Sequence, residues 1–133
     1  MGYVVIEERM LDYSSTAPID TDVRDHLVSV DAHNIHVVEN GAHDGAALLL
    51  IHGHAGSTTW WDLLIPRLAV EYRVIRVDLL GHGRSDKPAG CCTMSEQARV
   101  VGSALAQLGV NRVIAIGHAT GAVVAAALAE QRR

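Results

Sequence analysis

Residues 113–128 read VIAIGHATGAVVAAAL, and this stretch decides the fold class. Its first residues form a short apolar run, its centre is a turn between two glycines, and its last part is apolar and rich in alanine. A short apolar run that ends at glycine is typical of a strand covered on both faces, and alanine is the strongest helix former. We therefore predict a strand over 112–117, a tight turn over 117–121 and a helix over 120–133.

Three other stretches upstream have the pattern of strands. AALLLIHG and YRVIRVDLLG are apolar runs that end at glycine, and they predict buried strands over 47–52 and 73–78. HLVSVDAHNIHVVENG, at 26–41, alternates apolar and polar residues on both sides of a polar turn. This alternation predicts a β-hairpin with one buried face.

Two helices are expected between the buried strands. One covers 59–69 and is expected to be kinked by Pro66, because an interior proline removes a backbone hydrogen bond. The other covers 94–108 and begins with the Thr93 and Glu96 pattern of a capping box. Strands that alternate with helices in this way predict an α/β fold with a mostly parallel sheet.

The net charge of −4 comes from the N-terminal part of the chain. Residues 1–25 contain six acidic and two basic residues, whereas residues 26–133 contain nine of each. This balance excludes the basic surface that nucleic-acid-binding domains present, so we expect no nucleic-acid partner. We predict an acidic N-terminal segment over 1–25 and one domain over 26–133.

The chain has no sequence feature of a membrane or secreted protein. Its longest uninterrupted apolar run, 122–129, is much shorter than the roughly 20 residues of a membrane-spanning helix. The first residues, MGYVVIEERM, contain acids where a secretory signal has a basic flank. We therefore expect a cytoplasmic protein without a membrane span.

Three loops follow the three predicted parallel strands: HGHAG at 52–56, DLLGHGRSDKP at 78–88 and GHATG at 117–121. In an open parallel sheet, ligands bind beyond the carboxyl ends of the strands. We therefore expect these three loops to converge on one site.

These loops resemble those of the α/β-hydrolase family, over about residues 26–133. His52 and Gly53 match the oxyanion loop, residues 78–85 match the family's D-x-x-G-x-G-x-S turn, and residues 117–121 match the G-x-S-x-G nucleophile elbow. The resemblance implies that Ala119 occupies the position of the nucleophile, without its hydroxyl. It also implies that the backbone amides of His54 and Thr120 form the oxyanion hole. The residues that support the motifs are His52, Gly53, Asp78, Gly81, Gly83, Ser85, Gly117, His118 and Gly121.

Two hydroxyl groups near the motifs are candidates to replace the missing nucleophile. The family's elbow directs the side chain at position 120 away from the site, and no base is placed by the sequence to activate Thr120. Ser85 lies in GHGRSD, which has the wrong order for a nucleophile elbow, and we expect it to brace its turn.

Four histidines on the three loops are candidate metal ligands. His52 and His54 have the H-x-H spacing of some metal sites, and His82 and His118 lie on the same three loops. The hydrolase motifs already account for three of these four, and no cysteine or pair of carboxylates completes a ligand set. We expect no metal and no other cofactor. The remaining histidines, His26, His33, His36 and His43, are expected on the surface of the hairpin region.

The resemblance implies a hydrolase ancestry of the ester type. In the family, the acid and the histidine of the triad follow the elbow helix, in which this chain ends, so we expect an N-terminal half-domain that is inactive as given. The alternative is a noncatalytic protein that binds a small molecule or a partner in the hydrolase pocket. Ester, thioester, amide and carbon–carbon hydrolysis share these motifs, whereas haloalkane and epoxide chemistry would place aspartate at position 119.

Overall fold

A computed structural model describes residues 22–44 and 46–132. The acidic segment predicted over 1–25 therefore lies mostly outside the described residues. The described chain forms five strands in one sheet, three α-helices and a short 3-10 helix. Among the described residues, no helix is long and apolar enough to cross a membrane.

The predicted hairpin is confirmed. Strand β1 covers Val23–Val30 and strand β2 covers His33–Asn40, and the two pair in antiparallel register. Asp31 and Ala32 connect them with φ angles of 50° and 66°, the left-handed conformation of both central residues in a type I′ turn. This turn matches the twist of the two strands.

The three predicted parallel strands are also confirmed. They are β3 at Ala46–Ile51, β4 at Tyr72–Val77 and β5 at Ile114–Gly117. The sheet order is β1-β2-β4-β3-β5, and β3 pairs in parallel with both β4 and β5. The carboxyl ends of these three strands therefore lie side by side.

The helix predicted over 59–69 is divided in two. A 3-10 helix covers Thr58–Trp61, and helix α1 covers Ile65–Glu71. Pro66 lies in the first turn of α1, where its missing N–H would have no helical partner. The proline therefore begins a helix, and the predicted kink within one continuous helix is wrong.

The other two helices follow the prediction closely. Helix α2 covers Met94–Gln107, and its capping box between Thr93 and Glu96 is present in full. Helix α3 covers Thr120–Gln131. The main apolar core joins one face of the sheet to these two helices, and a smaller cluster on the opposite face packs against α1.

Candidate active site

The turn between β5 and α3 has an unusual backbone at one residue. Ala119 has φ 53° and ψ −119°, and its side chain is exposed at the tip of the turn. A non-glycine residue in so sparsely populated a conformation costs about 1–3 kcal/mol. Strain of this kind is concentrated at functional sites, so Ala119 marks a candidate site.

Glycines on both sides of Ala119 allow the turn to be this tight. A Cβ on Gly117 would overlap the carbonyl oxygen of Gly121, and a Cβ on Gly121 would overlap the carbonyl oxygen of Ile51 at the end of β3. Strand β5, helix α3 and strand β3 therefore approach each other at backbone distance. Any larger residue at these two positions would separate them.

The loop after β3 lies directly against this turn. A Cβ on Gly53 would be 2.9 Å from the His118 carbonyl oxygen and 3.3 Å from the Ala119 Cβ. The Gly56 amide donates to the Gly53 carbonyl oxygen at 3.0 Å, which closes a β-turn with Ala55 at φ 60°. His54, inside this β-turn, is exposed beside Ala119's loop.

His52 connects the loops after β3 and β4. Its side chain is fully buried, its Nδ1–H donates to the Gly53 carbonyl oxygen at 2.7 Å, and its Nε2 accepts from the Leu79 amide at 3.0 Å. A ring with one donating and one accepting nitrogen is neutral. Burial lowers the pKa of His52, which agrees with that neutral state.

The Asp78 carboxylate holds the loop after β4 in place through several hydrogen bonds. One carboxylate oxygen accepts from the Thr58 amide at 2.7 Å, and the other accepts from the Arg84 amide at 3.0 Å and from His36 at 2.6 Å. Burial alone would raise the pKa of Asp78, but these hydrogen bonds outweigh it and hold the pKa below its ordinary value. A Cβ on Gly83 would overlap this carboxylate, so only glycine fits there.

Ser85 and Gly81 hold the shape of the same loop. The Ser85 hydroxyl donates to the Asp78 carbonyl oxygen at 2.6 Å and accepts from the His36 amide at 2.9 Å. The Gly81 amide donates to the Asp86 carbonyl oxygen at 2.9 Å, with Gly81 at φ 86°. Both hydrogen bonds of the Ser85 hydroxyl are with backbone groups, so this hydroxyl does not face the loop around Ala119.

The three loops therefore meet, but their histidines do not form a ligand set. The ring centroids of His52 and His82 are 4.9 Å apart, and those of His54 and His82 are 5.9 Å apart. Both nitrogens of His52 are already engaged with backbone. Within the described ranges, no three histidine, cysteine or acidic side chains are arranged to hold a metal ion.

His36 is not a surface residue, and the prediction that placed it there is wrong. It is 3% exposed and lies between the carboxylates of Asp25 and Asp78, at 2.7 and 2.6 Å. The alternating pattern of the hairpin assigned its polar face to solvent. The partners of His36 on that face are distant in sequence, so no local signal identifies it.

A cavity of about 340 Å³ opens next to the turn and is lined by Trp60, Trp61 and His118. The rings of Trp60 and His118 meet edge to face with their centroids 5.4 Å apart. The indole Nε1 of Trp61 is buried without a hydrogen-bond partner among the described residues. The cavity is thus lined by aromatic rings.

Residues 46–133 match the family model described as alpha/beta hydrolase fold. A soluble epoxide hydrolase of a Corynebacterium strain is 34% identical over 107 residues, which cover 80% of this chain and 37% of that protein. An uncharacterized protein of Mycobacterium tuberculosis is 40% identical over 90 residues, which cover 68% of this chain and 26% of that protein. The chain thus spans about a quarter to two fifths of the length of these relatives.

A comparison with solved structures also matches an epoxide hydrolase and a haloalkane dehalogenase. The solved structure of an epoxide hydrolase without ligand matches with a TM-score of 0.79 and 33% identity, covering 84% of this chain and 39% of that one. A haloalkane dehalogenase from Bradyrhizobium elkani matches with a TM-score of 0.78 and 27% identity, covering 84% and 38%.

Proposed function

The chain belongs to the alpha/beta hydrolase family, and we propose that it is a member of ester-hydrolase ancestry that is inactive in this form. The observation that carries this proposal is the backbone of Ala119. Its φ of 53° and ψ of −119°, between a strand and a helix that approach through Gly117 and Gly121, support its assignment to the nucleophile position. Alanine at this position has no atom that can attack a substrate.

The oxyanion hole is proposed to persist around the missing nucleophile. The amide of Thr120 lies in the first turn of α3, where helix N–H groups are free to bind an anion. The contact of Gly53 with His118 and Ala119 supports the assignment of the His54 amide as the second donor. Two such donors stabilise the charge that develops on a carbonyl oxygen during acyl transfer.

Two ancestral nucleophiles fit position 119. Serine would belong to ester or thioester hydrolysis, whereas aspartate would belong to epoxide or haloalkane chemistry. The names of the epoxide hydrolase relatives support the second possibility, so both are tested. A serine hydroxyl is a weak nucleophile without a base, whereas an ionised carboxylate needs none for its first attack.

The test measures turnover and covalent adducts. The unmodified chain, Ala119→Ser and Ala119→Asp are incubated with an activated ester, a small epoxide and a haloalkane, and their masses are recorded. We expect no turnover by the unmodified chain. A stable alkyl ester at position 119 in Ala119→Asp only, absent from the matched control Ala122→Asp, would contradict the proposed ester ancestry and favour epoxide or haloalkane ancestry. Turnover of the ester by the unmodified chain would refute the proposal.

The second candidate is a noncatalytic small-molecule-binding protein. The aromatic cavity of about 340 Å³ beside His118 supports it, because binding pockets combine apolar walls with a few polar groups. The chain's only two tryptophans, Trp60 and Trp61, line this cavity. Saturable quenching of their fluorescence by an aryl ester that is not hydrolysed would support binding, and Trp60→Leu should weaken it. The absence of saturation would exclude this candidate.

A further inference from the structure

His36 lies between two carboxylates. Its Nδ1 is 2.6 Å from an Asp78 oxygen, its Nε2 is 2.7 Å from an Asp25 oxygen, and its side chain is 4% exposed. An ionised carboxylate only accepts hydrogen bonds, so each ring nitrogen must donate. A ring that donates from both nitrogens is a positively charged imidazolium.

The other charged group at this ring is Arg84, whose placement agrees with the imidazolium. Its Nη1 lies 3.4 Å from His36 Nε2 and 3.3 Å from the second Asp25 oxygen. A guanidinium could donate to Nε2 only if that nitrogen had no proton. The shorter distance from Nε2 to Asp25 therefore assigns the Arg84 donation to Asp25. Two carboxylates and two cations then balance in this cluster.

The cluster reaches the candidate site through Asp78. The same carboxylate that accepts from His36 also accepts from the amide of Thr58, the first residue of the 3-10 helix. That helix carries Trp60, whose ring contacts His118, the neighbour of Ala119. A continuous series of contacts thus runs from strand β1 to the turn at position 119.

We propose that His36 is a positioning residue for the candidate site, whose imidazolium couples Asp25 of β1 to the segment that carries Thr58 and Trp60. This role concerns the resting protein and does not depend on any reaction at position 119. A neutral ring can donate only once. Asp78 is 1% exposed and held by two backbone amides, whereas the Asp25 side chain is 49% exposed. A ring without the Nε2 proton would keep its hydrogen bond to Asp78 and lose the one to Asp25, so Asp25 is the partner that holds the second proton in place.

Two measurements test this coupling. Side-chain nitrogen NMR counts the protonated nitrogens of His36, and tryptophan emission reports the surroundings of Trp60 and Trp61. We expect two protonated nitrogens on His36, and we expect the emission maximum to move when a substitution breaks the cluster.

The variants separate coupling from simple support of the fold. His36→Gln is expected to move the emission maximum, while His26→Gln, which removes another carboxylate-bound histidine of the hairpin, is expected to leave it unchanged. Asp25→Ala should remove the slowly exchanging Nε2 proton and keep the Nδ1 proton, and Asp25→Glu should restore both. Asp25→Ala also serves as the test if His36→Gln does not fold. One protonated nitrogen on His36, or an unchanged emission maximum in both His36→Gln and Asp25→Ala, would overturn the proposal.

Discussion

Gly121, in the first turn of α3, lies against the carbonyl oxygen of Ile51, the last residue of β3. This contact brings the start of the helix next to the loop that begins at His52. The amide of Thr120 and the loop that contains His54 are neighbours for this reason. The geometry of the candidate site thus requires a residue without a side chain at position 121.

Gly121→Ala is expected to destabilise the protein by about 1–3 kcal/mol, because the added methyl group forces two backbone segments apart. Chemical denaturation measures the change in the free energy of unfolding. Gly102→Ala is the matched control: it also adds a methyl group within a helix, but the methyl meets only the flexible end of Arg132. Equal losses in the two variants would contradict the close approach at Gly121.

Ala119→Gly is expected to stabilise the protein by about 1 kcal/mol, because glycine adopts the backbone of residue 119 with less strain. Ala126→Gly, at an exposed position inside α3, is expected to destabilise the protein by about 1 kcal/mol through loss of helix propensity. Thermal and urea denaturation should therefore shift in opposite directions for the two variants. A loss of stability in both would mean that Ala119 is not strained.

Ala32→Gly should stabilise the hairpin. Asp31 and Ala32 both have positive φ angles, and the resulting Asp-Gly pair is preferred in type I′ turns. Relief of the left-handed conformation at a residue with a Cβ is worth about 1 kcal/mol. The midpoint of urea denaturation should rise, and an unchanged or lower midpoint would contradict the turn type.

Acidification is expected to destabilise the protein in two steps. Burial lowers the pKa of His52 in the folded state, so the unfolded chain takes up a proton first, and stability falls below about pH 6.5. Hydrogen bonds and nearby cations lower the pKa values of Asp78 and Glu39 despite their burial, so a second loss follows below about pH 4. The free energy of unfolding, measured by urea titration across this range, reports both steps.

A substitution separates the first step from the second. His52→Gln should remove the loss near pH 6.5 and leave the loss near pH 4, although the variant starts from a lower stability. His33→Gln, an exposed histidine of the hairpin, should leave both steps in place. Persistence of the first step in His52→Gln would show that another group causes it.

The sequence predicts the elements whose pattern is local. The apolar runs that become β3, β4 and β5, and the capping box at Thr93, each contain their own signal. The structure of residues 59–69 is harder to predict, because Pro66 is compatible both with a kinked helix and with the first turn of a new one. Local pattern cannot decide between these, since the packing of Ile65 on the sheet sets where the helix begins.

Prediction of the site was incomplete for a similar reason. The motifs correctly indicate that the loops containing His52, Asp78 and Ala119 lie together, because parallel strands end on one edge. They give no indication of His36, whose two partners are 11 and 42 residues away. Contacts at such separation depend on strand register, which a single hydrophobic pattern does not specify.

We propose that position 119 retains the backbone of a nucleophile site and lacks its chemistry. Both parts are tested by labelling Ala119→Ser with a fluorophosphonate, with and without added imidazole as an external base. Ala122→Ser, in helix α3, is the matched control. We predict labelling at the background of the unmodified chain without imidazole. With imidazole, we predict labelling at position 119 that exceeds labelling at position 122, because a base is the missing component. Rapid labelling of Ala119→Ser without imidazole, or equal labelling at 119 and 122 with it, would contradict this proposal.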